Sequence, residues 1–560
     1  MELLDRARDW LSQDPDPVTR DELQRLIEAG DTAELGDRFG ERLQFGTAGL
    51  RGALGAGPNR MNRVIVAQAA SGLAAYLLEH DSEPSVVIGY DARHNSDVFA
   101  RDTAEIMQGA GVAAHLLPGP LPTPVAAFAI RHLGCSAGVV VTASHNPPQD
   151  NGYKVYLADS SQIVPPADAD ISAQIDAAGR IDEMPRSDGY TRLGPEVAEA
   201  YIEAVAALPQ DGPRDIVAVY TPLHGVGRDT LVDVVRRTRF PDLHVVRDQD
   251  EPDPDFPTVA FPNPEEPGAM DLALKLASEV RADLIVANDP DADRAAVGVR
   301  DGEAYRMLTG DQVGALLADF CLRRGLSGTF AASIVSSDLL GRQAEAFGQP
   351  WQQTLTGFKW IGKIPDLAFG YEEALGYCVA PHIARDKDGV SAIITVLEMA
   401  AALKAEGRTL LDRLDDLYRE HGLHATSQLS VRVDDVSIIA SAMQALRTSP
   451  PSRLGGLDVS AVDDLMSGYR GLPPTDGIRL GLGENARIIC RPSGTEPKIK
   501  CYVEVGLDPV DPRLGLVTGR LHRVVHWYDH LDVALDLRLG ARRTTDDARV
   551  LAQTEPHAVG

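Results

Sequence analysis

The sequence predicts an α/β fold with several domains. Apolar strand patterns alternate with helix-period segments along most of the chain, and such alternation is typical of sheets with parallel or mixed strands. The chain has 560 residues, and since a domain usually holds about 100–200 residues, we expect roughly three to five domains. With 44% hydrophobic and 24% charged residues, the composition is that of a soluble globular protein with a large core.

The elements can be assigned in order along the chain. Predicted strands lie at 85–90, 137–143, 215–220, 242–246 and 283–288, with helices at 64–78, 195–207, 269–280 and 311–324. Beyond about residue 425 the pattern changes to alternating strands such as 429–435 and 498–505, which predicts a final α+β domain. We place the domains at 1–208, 209–303, 304–424 and 425–560, and we expect the last to end in a mobile tail.

Charge and composition exclude several classes of protein. The net charge is −28, which argues against nucleic acid and anionic membranes as partners, because both need a basic face. No apolar run approaches the ~18 residues of a membrane span, and the acidic start lacks the features of a signal peptide, so we expect a cytoplasmic protein. The five scattered cysteines indicate buried thiols rather than disulfides or a zinc site.

A serine follows the predicted strand at 137–143. His145, Asn146 and two prolines come directly after Ser144, and Lys154 lies ten residues beyond it. Ligands of open α/β sheets bind at the carboxyl ends of strands, so this hydroxyl is a candidate catalytic group, although it could simply end the strand before a turn. The nucleophile-elbow pattern G-x-S-x-G is missing here, which disfavours a hydrolase triad. A phosphoryl-carrying serine is the alternative.

Three carboxylates follow the predicted strand at 283–288. Asp289, Asp291 and Asp293 alternate along the chain, and on an irregular loop they can converge on one point. Their mutual repulsion favours a cation between them, and hard oxygen ligands suit Mg²⁺, although a solvated acidic turn could have the same residues. Arg294 stands where an EF-hand needs its turn glycine, so we predict another kind of loop, in which this arginine could steady the aspartates or meet a phosphate.

Two cationic segments offer candidate phosphate contacts. The segment 491–500 supplies guanidinium, hydroxyl, ammonium and backbone N–H groups, which are phosphate ligands, although an exposed hairpin could have the same composition. These groups belong to Arg491, Ser493, Gly494, Thr495 and Lys498. The segment 356–363, TGFKWIGK, contains G-x-x-x-x-G-K, but we detect no convincing strand before it and Ile364 follows it, so we do not expect a P-loop.

A further segment combines carboxylates with cations. Glu372 and Glu373 end a short apolar stretch, and Arg385 and Lys387 follow. A carboxylate can accept hydrogen bonds from adjacent sugar hydroxyls, whereas isolated residues of these types are more often ordinary surface charges.

Together these segments resemble the α-D-phosphohexomutases, the family of phosphoglucomutase and phosphomannomutase. The matching segments are spread in order over residues 45–505 and are FGTAGLRG (45–52), GYDARHNS (89–96), TASHNP (142–147), TPLHGVG (221–227), DPDADR (289–294), LTGDQVGALL (308–317), TGFKW (356–360), EEALGY (372–377) and RPSGTEPKIK (491–500). FPNPEEPGAM (261–270) and RDKDGVSA (385–392) resemble most the branch of phosphoglucomutase and phosphopentomutase enzymes.

The resemblance implies a fold and a set of roles. It implies four domains around a central cleft, three with mixed α/β sheets and a fourth that is α+β and similar to the TATA-binding protein. Ser144 would be a phosphoserine bridged by one Mg²⁺ to Asp289, Asp291 and Asp293, with Lys154, Lys387 and His145 as the other catalytic candidates. The remaining residues implied in substrate binding are Thr47, Arg51, Arg294, Thr356, Gly357, Lys359, Glu372, Arg385 and the 491–498 set.

One departure from the family pattern leaves the sugar open. Many hexose mutases have a serine two residues after the sugar-reading glutamate, and here that position holds Ala374. The expected reaction is interconversion of glucose 1- and 6-phosphate through glucose 1,6-bisphosphate, with mannose and pentose phosphates as alternatives. A sugar phosphatase and a non-catalytic phosphosugar-binding protein are alternatives of other classes. The expected assembly is a monomer or a homodimer.

Overall fold

The computed structural model describes residues 3–433, 435, 437–493 and 498–509. The chain divides between Leu414 and Asp415 into two compact units. The first unit holds three mixed sheets and the second an antiparallel sheet, which confirms the predicted combination of α/β domains with a C-terminal α+β domain. The domain boundaries at 208, 303 and 424 stay predictions.

The first sheet carries the serine loop, which comprises residues 144–150. Its six strands lie in the order β1-β5-β4-β2-β3-β6, and β5 runs antiparallel to its neighbours β1 and β4. The strands are β1 (Leu50–Ala53), β2 (Ser85–Tyr90), β3 (Ala113–Leu116), β4 (Ala137–Val141), β5 (Asp150–Leu157) and β6 (Thr191–Arg192). Strand β4, AGVVV, is buried along its length, as expected for a strand covered on both faces.

Eight helices precede or surround this sheet. They are α1 (Leu3–Gln13), α2 (Pro17–Ala29), α3 (Thr32–Gly40), α4 (Arg63–His80), α5 (Ser96–Ala110), α6 (Thr123–Leu133), α7 (Ala167–Asp176) and α8 (Glu196–Ala206). The predicted helices at 64–78 and 195–207 correspond to α4 and α8.

The second sheet carries the aspartate loop, which comprises residues 288–294. Its strands lie in the order β11-β10-β9-β7-β8, with β7, β8 and β9 parallel and β10 and β11 antiparallel. The elements are β7 (Ala218–Thr221), α9 (Gly227–Arg237), β8 (His244–Val245), α10 (Asp271–Val280), β9 (Leu284–Ala287), β10 (Ala296–Asp301) and β11 (Ala304–Met307). Strand β9 ends two residues before Asp289.

The third sheet positions Glu372 and Glu373. Its strands lie in the order β13-β12-β14-β15, and only β15 is antiparallel to its neighbour. The elements are α11 (Gly310–Arg323), β12 (Thr329–Ser333), α12 (Leu339–Ala346), β13 (Trp351–Thr354), α13 (Phe358–Gly362), β14 (Leu367–Glu372), β15 (Gly376–Cys378) and α14 (Gly389–Ala405). Helix α14 is buried on nearly all sides.

The expectation that no strand precedes TGFKWIGK is wrong. Strand β13 ends at Thr354, and the short helix α13 begins at Phe358. The sequence WQQT hides this edge strand because it lacks an apolar run. The segment still differs from a P-loop in its next residue, Ile364.

The second unit is built around one antiparallel sheet in the order β16-β21-β20-β19-β18-β17. Helix α15 (Leu410–His421) leads into it, and its elements are β16 (Leu423–Arg432), α16 (Ser437–Thr448), β17 (Arg453–Leu454), β18 (Leu457–Asp464), β19 (Ile478–Leu482), β20 (Ala486–Pro492) and β21 (Lys498–Leu507). Apolar residues of α16 pack on β19 and β20 to form its core. The predicted mobile tail lies outside the described residues.

Within the described ranges, no helix is both long enough and apolar enough to cross a membrane. All five cysteines are buried free thiols, as predicted.

Candidate active site

Ser144 lies three residues beyond strand β4, in the left-handed region with φ of 54°. A non-glycine residue held there costs about 1–3 kcal/mol, so its surroundings must hold it in place. Its N–H donates to Thr142 Oγ1 at 2.8 Å, and its hydroxyl donates to Asp289 Oδ2 at 2.8 Å. The hydroxyl of the first sheet is therefore aimed at the aspartate loop of the second.

His145 lies beside this hydroxyl. Its Nδ1 is 3.2 Å from Ser144 Oγ. Burial, together with the nearby guanidinium groups of Arg294 and Arg51, lowers the pKa of His145 well below its usual value. The ring is therefore a neutral imidazole, which can either donate to or accept from the serine oxygen.

The three aspartates converge as predicted. Each of Asp289, Asp291 and Asp293 offers a carboxylate oxygen within 4.8 Å of the others, and all three side chains are buried. Burial and the two neighbouring carboxylates raise the pKa of Asp289 well above its usual value. Such a cluster is stable only when positive charge lies close to it.

Protein cations supply part of that charge. Lys154 Nζ donates to Asp291 Oδ2 at 2.8 Å and to Asp293 Oδ2 at 3.0 Å. Lys387 Nζ is 3.0 Å from Asp293 Oδ2, and Arg294 Nε is 3.9 Å from Asp289 Oδ2. Burial alone would raise the pKa of Asp293, but these three cations outweigh it and hold that pKa below the usual range.

The cluster also fits a divalent metal ion. Asp291 Oδ1 and Asp293 Oδ1 are buried without a hydrogen-bond partner among the residues that the structure describes. Buried carboxylate oxygens need a partner, and an all-oxygen donor set suits Mg²⁺. Asp289, Asp291 and Asp293 can therefore hold such an ion beside the serine hydroxyl.

The third sheet contributes Glu372 at the end of β14. Its Oε1 accepts a hydrogen bond of 2.7 Å from the N–H of Gly357, a residue with φ of 109° that favours glycine. Burial raises the pKa of Glu372 despite the nearby Lys387. Its neighbour Glu373 accepts hydrogen bonds from Ser333 and Ser336, so the two glutamates have different surroundings.

Other predicted binding residues join separate parts of the first unit. Lys359 Nζ donates to Thr47 Oγ1, which links the 356–360 segment to the 45–52 segment. Arg51 Nη1 donates to Asn146 Oδ1 in the serine loop at 3.3 Å. Thr356 is half-buried in the bend between β13 and α13.

Arg385 contacts neighbouring segments of the chain. Its guanidinium donates to the carbonyls of Ile364 and Pro365, and its N–H donates to Ser160 Oγ. These contacts fasten the chain after α13, and a substrate contact by Arg385 stays a prediction.

The predicted phosphate loop belongs to the second unit. Arg491 pairs with Lys500 across strands β20 and β21, and the N–H of Ser493 donates to the carbonyl of Lys498 at 2.8 Å. Arg491 and Ser493 thus lie at the end of strand β20, and Lys498 lies at the start of its antiparallel neighbour β21. Gly494 and Thr495 lie outside the described residues, so the binding of phosphate here stays a prediction.

Sequence reasoning missed Thr123 and Asp386. Thr123 begins α6, and its hydroxyl and N–H donate to Asp291 Oδ2 at 2.8 Å and to the Asp291 carbonyl at 2.9 Å. Asp386 Oδ2 accepts from Tyr156 Oη at 2.8 Å and from Gln162 Nε2 at 2.7 Å. Helix α6 was not among the predicted helices, and the contact of Thr123 with a loop 168 residues away leaves no local pattern in the sequence.

The chain is similar to known proteins along most of its length. Models of phosphoglucomutase/phosphomannomutase α/β/α domains I, II and III match residues 42–181, 199–302 and 309–421, and that of the C-terminal domain matches 431–509. A "Probable phosphomannomutase" of Haemophilus influenzae is 52% identical over 80% of this chain and 94% of its own length. A "Phosphoribomutase" of Saccharomyces cerevisiae is 36% identical over 88% of this chain and 91% of its own.

A solved structure shares the fold. The phosphoglucomutase/phosphomannomutase family protein of Burkholderia thailandensis superposes with a TM-score of 0.66 at 18% identity, covering 87% of this chain and 97% of its own.

Proposed function

The chain belongs to the phosphoglucomutase/phosphomannomutase family, and we propose that it interconverts glucose 1-phosphate and glucose 6-phosphate. Its relatives are named mutases, which are isomerases that move a phosphoryl group. The observation that carries the proposal is the 2.8 Å hydrogen bond from Ser144 Oγ to Asp289 Oδ2, because it places a hydroxyl against a cluster suited to a metal ion.

In the proposed cycle, Ser144 carries a phosphoryl group. The bond between phosphorus and Ser144 Oγ breaks, a bond from phosphorus to the free sugar hydroxyl forms, and the hydroxyl proton passes to a neighbouring basic group. The product of this step is glucose 1,6-bisphosphate. It reorients in the site and then transfers its other phosphoryl group to Ser144. The step depends on positioning and on offsetting charge, to which a lysine ammonium group contributes. We propose that one of Lys154 and Lys387 does this while the other, as a neutral amine, accepts the hydroxyl proton and gives it back in the second transfer.

One Mg²⁺ is the proposed cofactor, held by Asp289, Asp291 and Asp293 together with the oxygen on Ser144. When bound, the ion would offset negative charge on the transferring group. The buried, unpartnered oxygens of Asp291 and Asp293 support this assignment.

The proposed intermediate has two phosphates, and therefore two anion sites are needed. We propose that the second site is the hairpin with Arg491, Ser493, Gly494, Thr495 and Lys498. Small phosphorylated sugars are the proposed partners, and the cytoplasm is the proposed compartment, with which five buried free thiols are compatible.

A second candidate substrate is a mannose or pentose phosphate with the same mechanism. Two observations favour it: Ala374 removes a hydroxyl that could hydrogen-bond a hexose, and the relatives include a phosphomannomutase and a phosphoribomutase. Rates on glucose, mannose and ribose 1-phosphates decide between them, and we expect glucose first, mannose second and ribose third. Preference for ribose would replace the glucose assignment and leave the phosphoserine mechanism intact.

The mechanism is tested by Ser144→Ala in an assay that couples 6-phosphate formation to a dehydrogenase. We expect kcat to fall by about 10⁴-fold or more, since the carrier is lost. The matched control is Ser136→Ala, just before the same strand, which should keep full activity. Trace glucose 1,6-bisphosphate should activate the wild type, with little release of inorganic phosphate. Stoichiometric phosphate release would indicate a phosphatase, and substantial turnover by Ser144→Ala would refute the phosphoserine.

A further inference from the structure

A buried arginine from a neighbouring loop contacts the carbonyl groups of the serine loop, residues 144–150. Arg93 follows strand β2 and is 4% exposed. Its Nη2 donates to the carbonyls of Ser144 at 2.6 Å and Asn146 at 2.5 Å. Its Nη1 donates to the carbonyls of Pro147 at 2.8 Å and Asp150 at 3.2 Å. All four terminal N–H groups of one guanidinium thus donate to backbone carbonyls within a segment of seven residues.

The surroundings hold this guanidinium in place. Asp91 Oδ1 accepts hydrogen bonds from the Arg93 N–H at 3.0 Å and from Ser96 Oγ at 2.7 Å. Asp91 Oδ2 lies 3.4 Å from Arg93 Nε. The ring of Phe256 lies 4.9 Å from the guanidinium carbon, a cation–π distance. A planar fork fixed in this way can orient several acceptors at once.

The contacts bear directly on the strained residue. Both backbone polar groups of Ser144 are bound by side chains, its N–H by Thr142 Oγ1 and its carbonyl by Arg93 Nη2. Rotation of Ser144 out of its left-handed conformation would break both hydrogen bonds. The direction of Cα–Cβ, and with it the position of Oγ against Asp289, depends on that conformation.

We infer that Arg93 is a positioning residue for the phosphoryl carrier: it holds the serine loop in the conformation that aims Ser144 Oγ at the aspartate cluster. The expected effect on kcat rests on the proposed function. The support of the serine loop by Arg93 does not depend on that function. Arg93 binds the protein backbone rather than the sugar, so its loss should lower kcat and leave the KM for sugar phosphate almost unchanged.

The kinetic test uses the full chain with Arg93→Lys and Arg93→Ala. Lysine keeps the charge but lacks the fork, and a displacement of about 1 Å at a reacting group can cost about 100-fold. We expect kcat about 100-fold lower in both variants, KM within about twofold of wild type, and partial rescue of Arg93→Ala by guanidinium ions but not by ammonium ions. The control is Arg63→Met, which breaks the ion pair with Asp102 at 2.7 Å elsewhere in the first domain.

The structural test is hydrogen exchange followed by mass spectrometry. Peptides that cover 144–151 should exchange at least about tenfold faster in both Arg93 variants than in wild type or Arg63→Met, since the hydrogen bonds that close the loop would open more often. This measurement needs no activity, and Arg93→Lys serves if Arg93→Ala does not fold.

Several results would overturn the inference. They are unchanged loop exchange, full kcat in Arg93→Lys, a rise in KM with unchanged kcat, or an equal loss of activity in Arg63→Met. Failure of the proposed function is recognised separately, because wild-type Ser144 would then acquire no phosphoryl group from glucose 1,6-bisphosphate while the loop exchange still reports on the bracing.

Discussion

The serine loop and the aspartate loop, residues 288–294, both contain a strained backbone conformation, but different groups stabilise it. Each follows a buried strand, β4 or β9. Each contains a non-glycine residue in the left-handed region, Ser144 with φ of 54° and Ala292 with φ of 55°. In both loops, neighbouring chain segments therefore have to hold an unfavourable backbone conformation.

The supports differ in charge. The carbonyls of the serine loop accept hydrogen bonds from the Arg93 guanidinium, whereas those of the aspartate loop accept from backbone N–H groups. These run from Val226 to Pro290 at 2.9 Å, from Thr123 to Asp291 at 2.9 Å and from Gly389 to Ala292 at 3.2 Å. Three separate chain segments thus bind three consecutive carbonyls.

Two of the three supporting segments approach the loop closely at a glycine. A Cβ at Gly225 would lie 2.3 Å from Pro290 Cα, and one at Gly389 would lie 2.2 Å from the Arg294 carbonyl oxygen. In the aspartate loop, neutral backbone groups support the conformation, and the carboxylates are left to contact Lys154, Lys387 and the proposed metal ion. The serine loop carries a hydroxyl and can be shaped by a cation directly.

Within this comparison of the two loops, the largest effect is expected from removing one charge without disturbing these supports. Asp291→Asn keeps the shape of the side chain but weakens a proposed metal ligand. A bound ion is worth several kcal/mol in the transition state, so kcat should fall by about 1,000-fold. Titration calorimetry should show weaker Mg²⁺ binding. Asp271→Asn, on the exposed first turn of α10, is the control; unchanged Mg²⁺ affinity in Asp291→Asn would exclude this carboxylate as a ligand.

An intermediate effect is expected from breaking the backbone support. Gly225→Ala forces a methyl group against the Pro290 backbone, so the free energy of unfolding should fall by about 2–3 kcal/mol. The displaced aspartates should lower kcat by about 10- to 100-fold. Urea unfolding and steady-state kinetics measure the two effects, and Gly119→Ala, where a Cβ meets nothing within 4 Å, should be silent in both. Wild-type behaviour of Gly225→Ala would show that the close approach is dispensable.

The smallest effect on kcat is expected from removing a single side-chain hydrogen bond to the aspartate loop. Thr123→Val removes the hydroxyl donor to Asp291 Oδ2 but keeps the N–H that supports the loop. A hydrogen bond to a charged group is worth about 1.5 kcal/mol, so kcat should fall about tenfold while the melting temperature changes little. Thr103→Val, also buried but bonded within α5 to the Phe99 carbonyl, should retain kcat. A loss of stability equal to that of Gly225→Ala would mean that the hydroxyl, not the backbone, shapes the loop.

Much of the molecule was predictable from local patterns. The predicted strand at 85–90 coincides with β2, and Asp289, Asp291 and Asp293 converge because their alternation on a loop after a strand allows it. Strand β13 was missed because an edge strand can be polar. Arg93 lay in a motif matched at 89–96, but nothing in its letters indicated that it contacts carbonyls beyond residue 143.

The sequence by itself determined the α/β class, the kinds of chemical group available and their positions after buried strands, because hydrophobic periodicity and turn residues act over short distances along the chain. Only the tertiary structure decided which of these groups meet. The contact between Ser144 and Asp289 spans 145 residues, and Lys154, Thr123 and Arg93 find their partners through packing between sheets and loops. Such contacts leave no periodic trace in the sequence, since they depend on how separately folded elements approach one another.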